Sequence, residues 1–129
     1  MAGVKTMVER AEAEIDTLSA ADAVKLHADP EVVMVDLRDI RELWRDGRIP
    51  GSFHAPRGML EFWIDRESPY FKDIFASGKR FVFYCNKGWR SALATQTAQS
   101  MGLKPVAHVG GGFEAWIQAG GAVEPVPKK

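Results

Sequence analysis

Tyr84-Cys85-Asn86-Lys87-Gly88-Trp89-Arg90-Ser91 places the only cysteine of the chain beside a lysine, a glycine and an arginine. A nucleophile among cations suits chemistry on an anion, provided the sulfur can ionise, because the thiolate is the attacking species. The apolar run Phe81-Val82-Phe83-Tyr84 reads as a buried strand leading into the cysteine, and Ser91 to Met101 reads as a helix leading away. Cys85 therefore lies in a tight turn between a strand and a helix N-terminus. Backbone N–H groups converge in such turns, and the helix dipole adds positive potential. Both favour a thiolate and an anion bound next to it. Gly88 allows turn angles that other residues resist, and Lys87 and Arg90 contribute full charges. A lone cysteine closing an apolar strand is ordinarily an inert buried thiol. That role calls for neither the glycine nor the cations, so the turn points to a reactive sulfur.

The rest of the chain must hold that turn in place. Its 129 residues suffice for one domain with a real core. Seventeen basic and seventeen acidic residues cancel, which gives no general attraction to nucleic acid or to an anionic membrane. A hydrophobic content of 46% is that of a globular protein. One cysteine excludes an intramolecular disulfide, a CxxC pair and a multi-cysteine zinc site. His27, His54 and His108 are scattered and form no metal pattern, so no metal site is expected. The start has no apolar core of signal-peptide length and no stretch approaches membrane-spanning length. A reducing cytoplasm is the expected setting for a free reactive thiol.

Residues 4–14 predict an amphipathic helix, with Val4, Met7, Val8, Ala11 and Ile15 on one face, packed on its own domain. Asp16 to Leu18 reads as a break. Ser19 and Asp22 have capping-box spacing for a helix running to about Ala28. Glu31 to Asp36 reads as a strand whose apolar residues are continuous, the pattern of a parallel strand buried on both faces. Asp36-Leu37-Arg38-Asp39 puts charges at that strand's carboxyl end, where α/β sheets place ligands; an ion-pair network that fixes the loop is the favoured role. Asp39 and Glu42 repeat the capping-box spacing for a helix to about Asp46. Gly47 to Ser52 is a turn cluster, and Phe53 to Pro56 is extended. Gly58 to Asp65 and Pro69 to Ala76 predict two short helices. Pro105 to Val109 is another strand. Gly110-Gly111-Gly112 lacks dinucleotide spacing and is expected to make a tight turn close to neighbouring backbone, before a helix over Phe113 to Ala119. Alternating helices and buried strands define an α/β domain with a mostly parallel sheet and helices on both faces.

Four pieces taken together resemble the rhodanese-homology domain: Asp36-Leu-Arg38, Gly47-Arg-Ile-Pro-Gly51-Ser, Cys85-Asn-Lys-Gly-Trp-Arg90-Ser, and Gly110-Gly-Gly-Phe113 with Trp116. Their order and spacing match over residues 15–122, leaving 1–14 as an added helix and 123–129 as a flexible tail. The resemblance implies a sulfurtransferase without a cofactor. Its cysteine takes the outer sulfur of a donor such as thiosulfate, becomes a persulfide, and passes the sulfur to cyanide, a thiol or a protein. On that resemblance Cys85 is the nucleophile, and Asn86, Lys87, Gly88, Trp89, Arg90 and Ser91 form the cradle for persulfide or donor. Arg90 closes the loop, Lys87 matches a basic position of thiosulfate-type enzymes, and Asp36 and Arg38 support the structure. Trp89 is bulkier than the residues usual at its position and would narrow the pocket.

The residues suit that chemistry. Thiosulfate is a dianion and calls for cations and N–H donors. Attack on sulfur proceeds as in thiol–disulfide exchange and requires no general base once the thiol is ionised. Two alternatives compete: a non-catalytic rhodanese-like module that binds a partner, and a cysteine-dependent phosphatase of the related dual-specificity kind. The first needs none of Cys85, Lys87 and Arg90. The second uses a longer loop than the four residues Asn86 to Trp89 that separate cysteine from arginine here. A shorter loop makes a smaller cradle, suited to a sulfur atom rather than a tetrahedral phosphate.

Overall fold

The computed structural model describes residues 2–129. Five strands form one parallel sheet in the order β1-β5-β4-β2-β3. They are β1 (Asp16–Leu18), β2 (Val32–Asp36), β3 (Phe53–His54), β4 (Arg80–Tyr84) and β5 (Val106–Val109). Six helices accompany them: α1 (Val4–Glu14), α2 (Ala20–Leu26), α3 (Ile40–Asp46), α4 (Leu60–Ile64), α5 (Trp89–Ser100) and α6 (Gly112–Gln118).

Strand periodicity divides the core in two. Val35, Phe81, Phe83 and Val106 point to one face, under Leu60 and Ile64 of α4 and Ala94 and Ala98 of α5. Met34, Val82 and Tyr84 point to the other, under Ala23 of α2 and Phe113 and Trp116 of α6. The central strands are thus buried on both sides, as their unbroken apolar runs require. Val8 and Ala11 of α1, with Ile15 just beyond it, pack on Ala92 and Leu93 of α5. Val4 and Met7, expected on the same face, are exposed. Both caps read from the sequence form: Ser19 Oγ accepts from the N–H of Asp22, and Asp39 with Glu42 makes a full capping box.

Four expectations are corrected. Asp16 to Leu18 is not a break but an edge strand paired with β5; three residues with two polar side chains carry too little pattern to announce a strand. Pro69 to Ala76 is not a helix: Ser68 Oγ accepts from the N–H of Tyr70, and the N–H of Lys72 is drawn to the carbonyl of Trp63 in α4. Only Asp73–Ala76 coils, as a 3₁₀ turn. The helix after the cysteine begins at Trp89 rather than Ser91, so Trp89 and Arg90 belong to its first turn. The segment after residue 122 is held at Glu124, whose backbone bridges Arg48 and whose carboxylate accepts from Arg48 Nε at 2.7 Å and from the N–H of Gly51 at 3.1 Å.

Candidate active site

The carboxyl ends of β2, β4 and β5 meet where the chain leaves the sheet. Cys85 is the first residue beyond β4, and its side chain is almost wholly buried. Gly88 turns the chain with φ at +106°, in the range that favours glycine, and aims its own N–H at Cys85 Sγ from 3.2 Å. The N–H of Ser91, in the first turn of α5, reaches the same sulfur at 3.4 Å, and Ser91 Oγ lies 3.5 Å away. The sulfur thus sits at the positive end of a twelve-residue helix, facing N–H dipoles. It closes the floor of a pocket of about 510 Å³ lined by Asn86, Lys87, Trp89 and Arg90.

The expected cradle is only partly the one that forms. Gly88 and Ser91 serve the sulfur. Arg90 lines the pocket, but its guanidinium is held by Glu42 of α3 through contacts of 2.8 and 3.1 Å. That hydrogen bond, ahead of the opposing effect of burial, holds the Glu42 carboxyl below its ordinary range. Lys87 is exposed at the rim, with Nζ 4.0 Å from Glu114. Asn86 turns toward α6: its Nδ2 donates to Glu114 at 3.2 Å and its carbonyl accepts from the N–H of Glu114. Trp89 stands half exposed at the mouth.

Asp36 and Arg38 form a buried ion pair. Both are fully buried and joined by contacts of 3.0, 3.3 and 2.7 Å, and Arg38 Nη2 also donates to the carbonyl of Gly47 at 2.8 Å. The guanidinium lies 4.3 Å from the centre of the Phe113 ring. Burial opposes the Arg38 charge, but Asp36 outweighs it and raises the pKa above its ordinary value. The triple glycine clamps the loop from behind. The N–H groups of Phe113 and Glu114 bond the carbonyls of Cys85 and Asn86 at 2.8 and 3.2 Å. A Cβ on Gly112 would lie 2.5 Å from the Asn86 carbonyl oxygen, so the close approach anticipated for this turn is real.

Two site residues escaped the sequence reading. Glu42, whose spacing from Asp39 announces only a cap, does that work while also binding Arg90. His108, set aside with the other histidines, is buried in β5, with Nδ1 2.9 Å from Ser91 Oγ and Nε2 3.0 Å from Thr17 Oγ1. Burial lowers its pKa to about 4, which leaves it neutral. A polar residue at the centre of the apolar strand Val106–Val109 was the available signal.

The rhodanese-like domain family matches residues 19–119, and the chain belongs to that family. A human thiosulfate:glutathione sulfurtransferase is 29% identical over 108 residues, covering 79% of this chain and 93% of its own. A mouse thiosulfate sulfurtransferase/rhodanese-like domain-containing protein 3 is 30% identical over 92 residues, 67% of this chain; the match spans 59% of that longer protein. A solved structure from Rhodopseudomonas palustris, of a protein of unknown function described as a possible tyrosine phosphatase, is 60% identical, covers 96% of both chains and superposes with a TM-score of 0.94. These relatives support a function of the sulfurtransferase type in general terms. Among the described residues no helix is long and apolar enough to cross a membrane.

Proposed function

We propose that the protein transfers sulfane sulfur from a small anionic donor such as thiosulfate, through a persulfide on Cys85, to cyanide, a thiol or a protein acceptor. The observation that carries this reading is Sγ on the floor of an open pocket, beneath the N–H groups of Gly88 and Ser91. In the first step the Cys85 thiolate attacks the outer sulfur of thiosulfate. A new S–S bond forms to the enzyme, the donor S–S bond breaks, and sulfite leaves with the bonding pair. In the second step the acceptor attacks the outer sulfur and the Cys85 thiolate departs. The persulfide is anionic and extends into the pocket lined by Lys87, Trp89 and Arg90. Each attack requires a thiolate or another free nucleophile and no general base. A reducing cytoplasm would keep the thiol free between turnovers.

The phosphatase description attached to the Rhodopseudomonas relative is the competing reading. The loop counts against it, with only four residues between Cys85 and Arg90. Arg90 counts against it too, since Glu42 occupies the guanidinium that would clamp a phosphate. Intact mass after incubation with thiosulfate separates the readings. The protein should gain the mass of one sulfur atom and lose it on addition of cyanide, and Cys85→Ser should gain nothing. Hydrolysis of p-nitrophenyl phosphate without any sulfur adduct would overturn the proposal.

A further inference from the structure

A chain of polar side chains leads from the buried sulfur to the far edge of the sheet. Cys85 Sγ lies 3.5 Å from Ser91 Oγ, which lies 2.9 Å from His108 Nδ1; His108 Nε2 lies 3.0 Å from Thr17 Oγ1. Cys85, Ser91 and His108 are at most 1% exposed, whereas Thr17, on edge strand β1, is exposed. The turn after β4, then α5, β5 and β1, each supply one member.

We infer that His108 is a positioning residue whose tautomer is tied to the ionisation of Cys85, and that Ser91, His108 and Thr17 carry the thiol proton to solvent. The inference rests on the reading of Cys85 as a thiolate nucleophile. With sulfur protonated, S–H donates to Ser91 Oγ, the Ser91 hydroxyl donates to Nδ1, and Nε2–H donates to Thr17. On ionisation each proton moves one place. The sulfur proton passes to Ser91 Oγ and the Ser91 proton passes to Nδ1. The Nε2 proton passes to Thr17, whose own proton leaves to water. Sulfur is left with the negative charge, while Ser91, His108 and Thr17 end neutral. The Ser91 hydroxyl now donates to the anion and is itself polarised by Nδ1–H, the cooperative arrangement of a hydrogen-bond chain.

Several features fit a relay that stays neutral. Among the described residues no carboxylate touches the ring, and burial alone keeps His108 uncharged. The charged groups around the cysteine loop are Arg90 with Glu42, Lys87 with Glu114, and the buried pair Asp36 with Arg38. All six are paired, so none is an uncommitted base for the thiol proton. An imidazole can pass a proton across the ring by exchanging tautomers, which no other side chain of similar shape can do.

Nitrogen-15 NMR of the intact protein tests this directly. His108 should carry its proton on Nε2 when Cys85 is a thiol and on Nδ1 when it is ionised, the exchange following the thiolate absorbance. One fixed tautomer through that titration would overturn the inference. Alkylation by iodoacetamide gives a second test that needs no sulfur donor, since Cys85 is the only thiol. His108→Phe should slow it at neutral pH by roughly tenfold, the effect of about one charge-assisted hydrogen bond. Thr17→Val, which cuts the path at its exposed end, should slow the tautomer exchange seen by NMR. A wild-type alkylation rate in His108→Phe together with wild-type exchange in Thr17→Val would refute the relay. Failure of the wild type to form a persulfide would instead refute the proposed sulfur transfer and leave the relay standing.

Discussion

Replacing Gly112 by alanine should damage the site from a position that touches no substrate. Gly112 has φ at +63°, a left-handed conformation that costs a residue with a Cβ about 1–2 kcal/mol. The added Cβ would also lie 2.5 and 2.6 Å from the carbonyl oxygen and carbon of Asn86 and 2.6 Å from the carbonyl oxygen of Cys85. These are backbone atoms and cannot swing aside. Ordinary contact begins at 3.4 Å, so α6 and the cysteine loop must part by roughly 0.9 Å. That movement stretches the Phe113-to-Cys85 and Glu114-to-Asn86 hydrogen bonds, each worth about 1 kcal/mol. The expected loss is about 3 kcal/mol, read as a lower urea midpoint with unchanged slope. Because the displaced carbonyl belongs to the nucleophile, persulfide formation should also slow by about 100-fold. Gly120→Ala is the control: its φ is +85°, but nothing lies within 4 Å of its Cβ position, so it carries the backbone strain alone. If Gly112→Ala were no less stable than Gly120→Ala and formed persulfide at the wild-type rate, the clamp would play no part in holding the loop.

Two further variants probe the charges. Glu42→Gln should free Arg90 for the pocket and raise kcat/KM for thiosulfate about fivefold, since a part-exposed pair is worth at most ~1 kcal/mol. The Glu42 carboxyl is held below its ordinary value, so its contribution to stability is complete above that value and disappears as the pH falls through the lowered one; acid urea titrations should show this decline in the wild type and not in Glu42→Gln. Asp36→Asn should cost about 3–5 kcal/mol in chemical denaturation, because it leaves the Arg38 charge buried without its partner.

The sheet was legible in the sequence wherever a strand is buried on both faces. Val32 to Asp36 and Arg80 to Tyr84 stand out because no polar residue interrupts their apolar stretches. Asp16 to Leu18 did not, since an edge strand is defined by its partner, and β5 lies about ninety residues further along the chain. The same distinction governs the site. Cys85, Gly88 and Ser91 could be read together because the turn that unites them is local. Glu42 and His108 reach it only when α3 and β5 pack beside β4, and no spacing in the sequence encodes those meetings.

The pairing of Arg90 with Glu42 changes how the site handles charge. Taken from the sequence, the loop is doubly cationic and draws a dianion by net charge. In the folded protein each cation has a carboxylate from a neighbouring helix, Glu42 of α3 or Glu114 of α6. The groups that face the sulfur directly are fixed dipoles: the Gly88 and Ser91 N–H groups and the N-terminal end of α5. Dipoles held by a tight turn do not reorient as charge moves onto the sulfur, so they stabilise it at no reorganisation cost. They also act over a short range, which suits the proposed transfer, in which charge stays on sulfur as thiolate or persulfide. On the proposed reading the cysteine is served by these N–H groups and the Ser91 hydroxyl, while Arg90 and Lys87 at the rim would govern which donors approach.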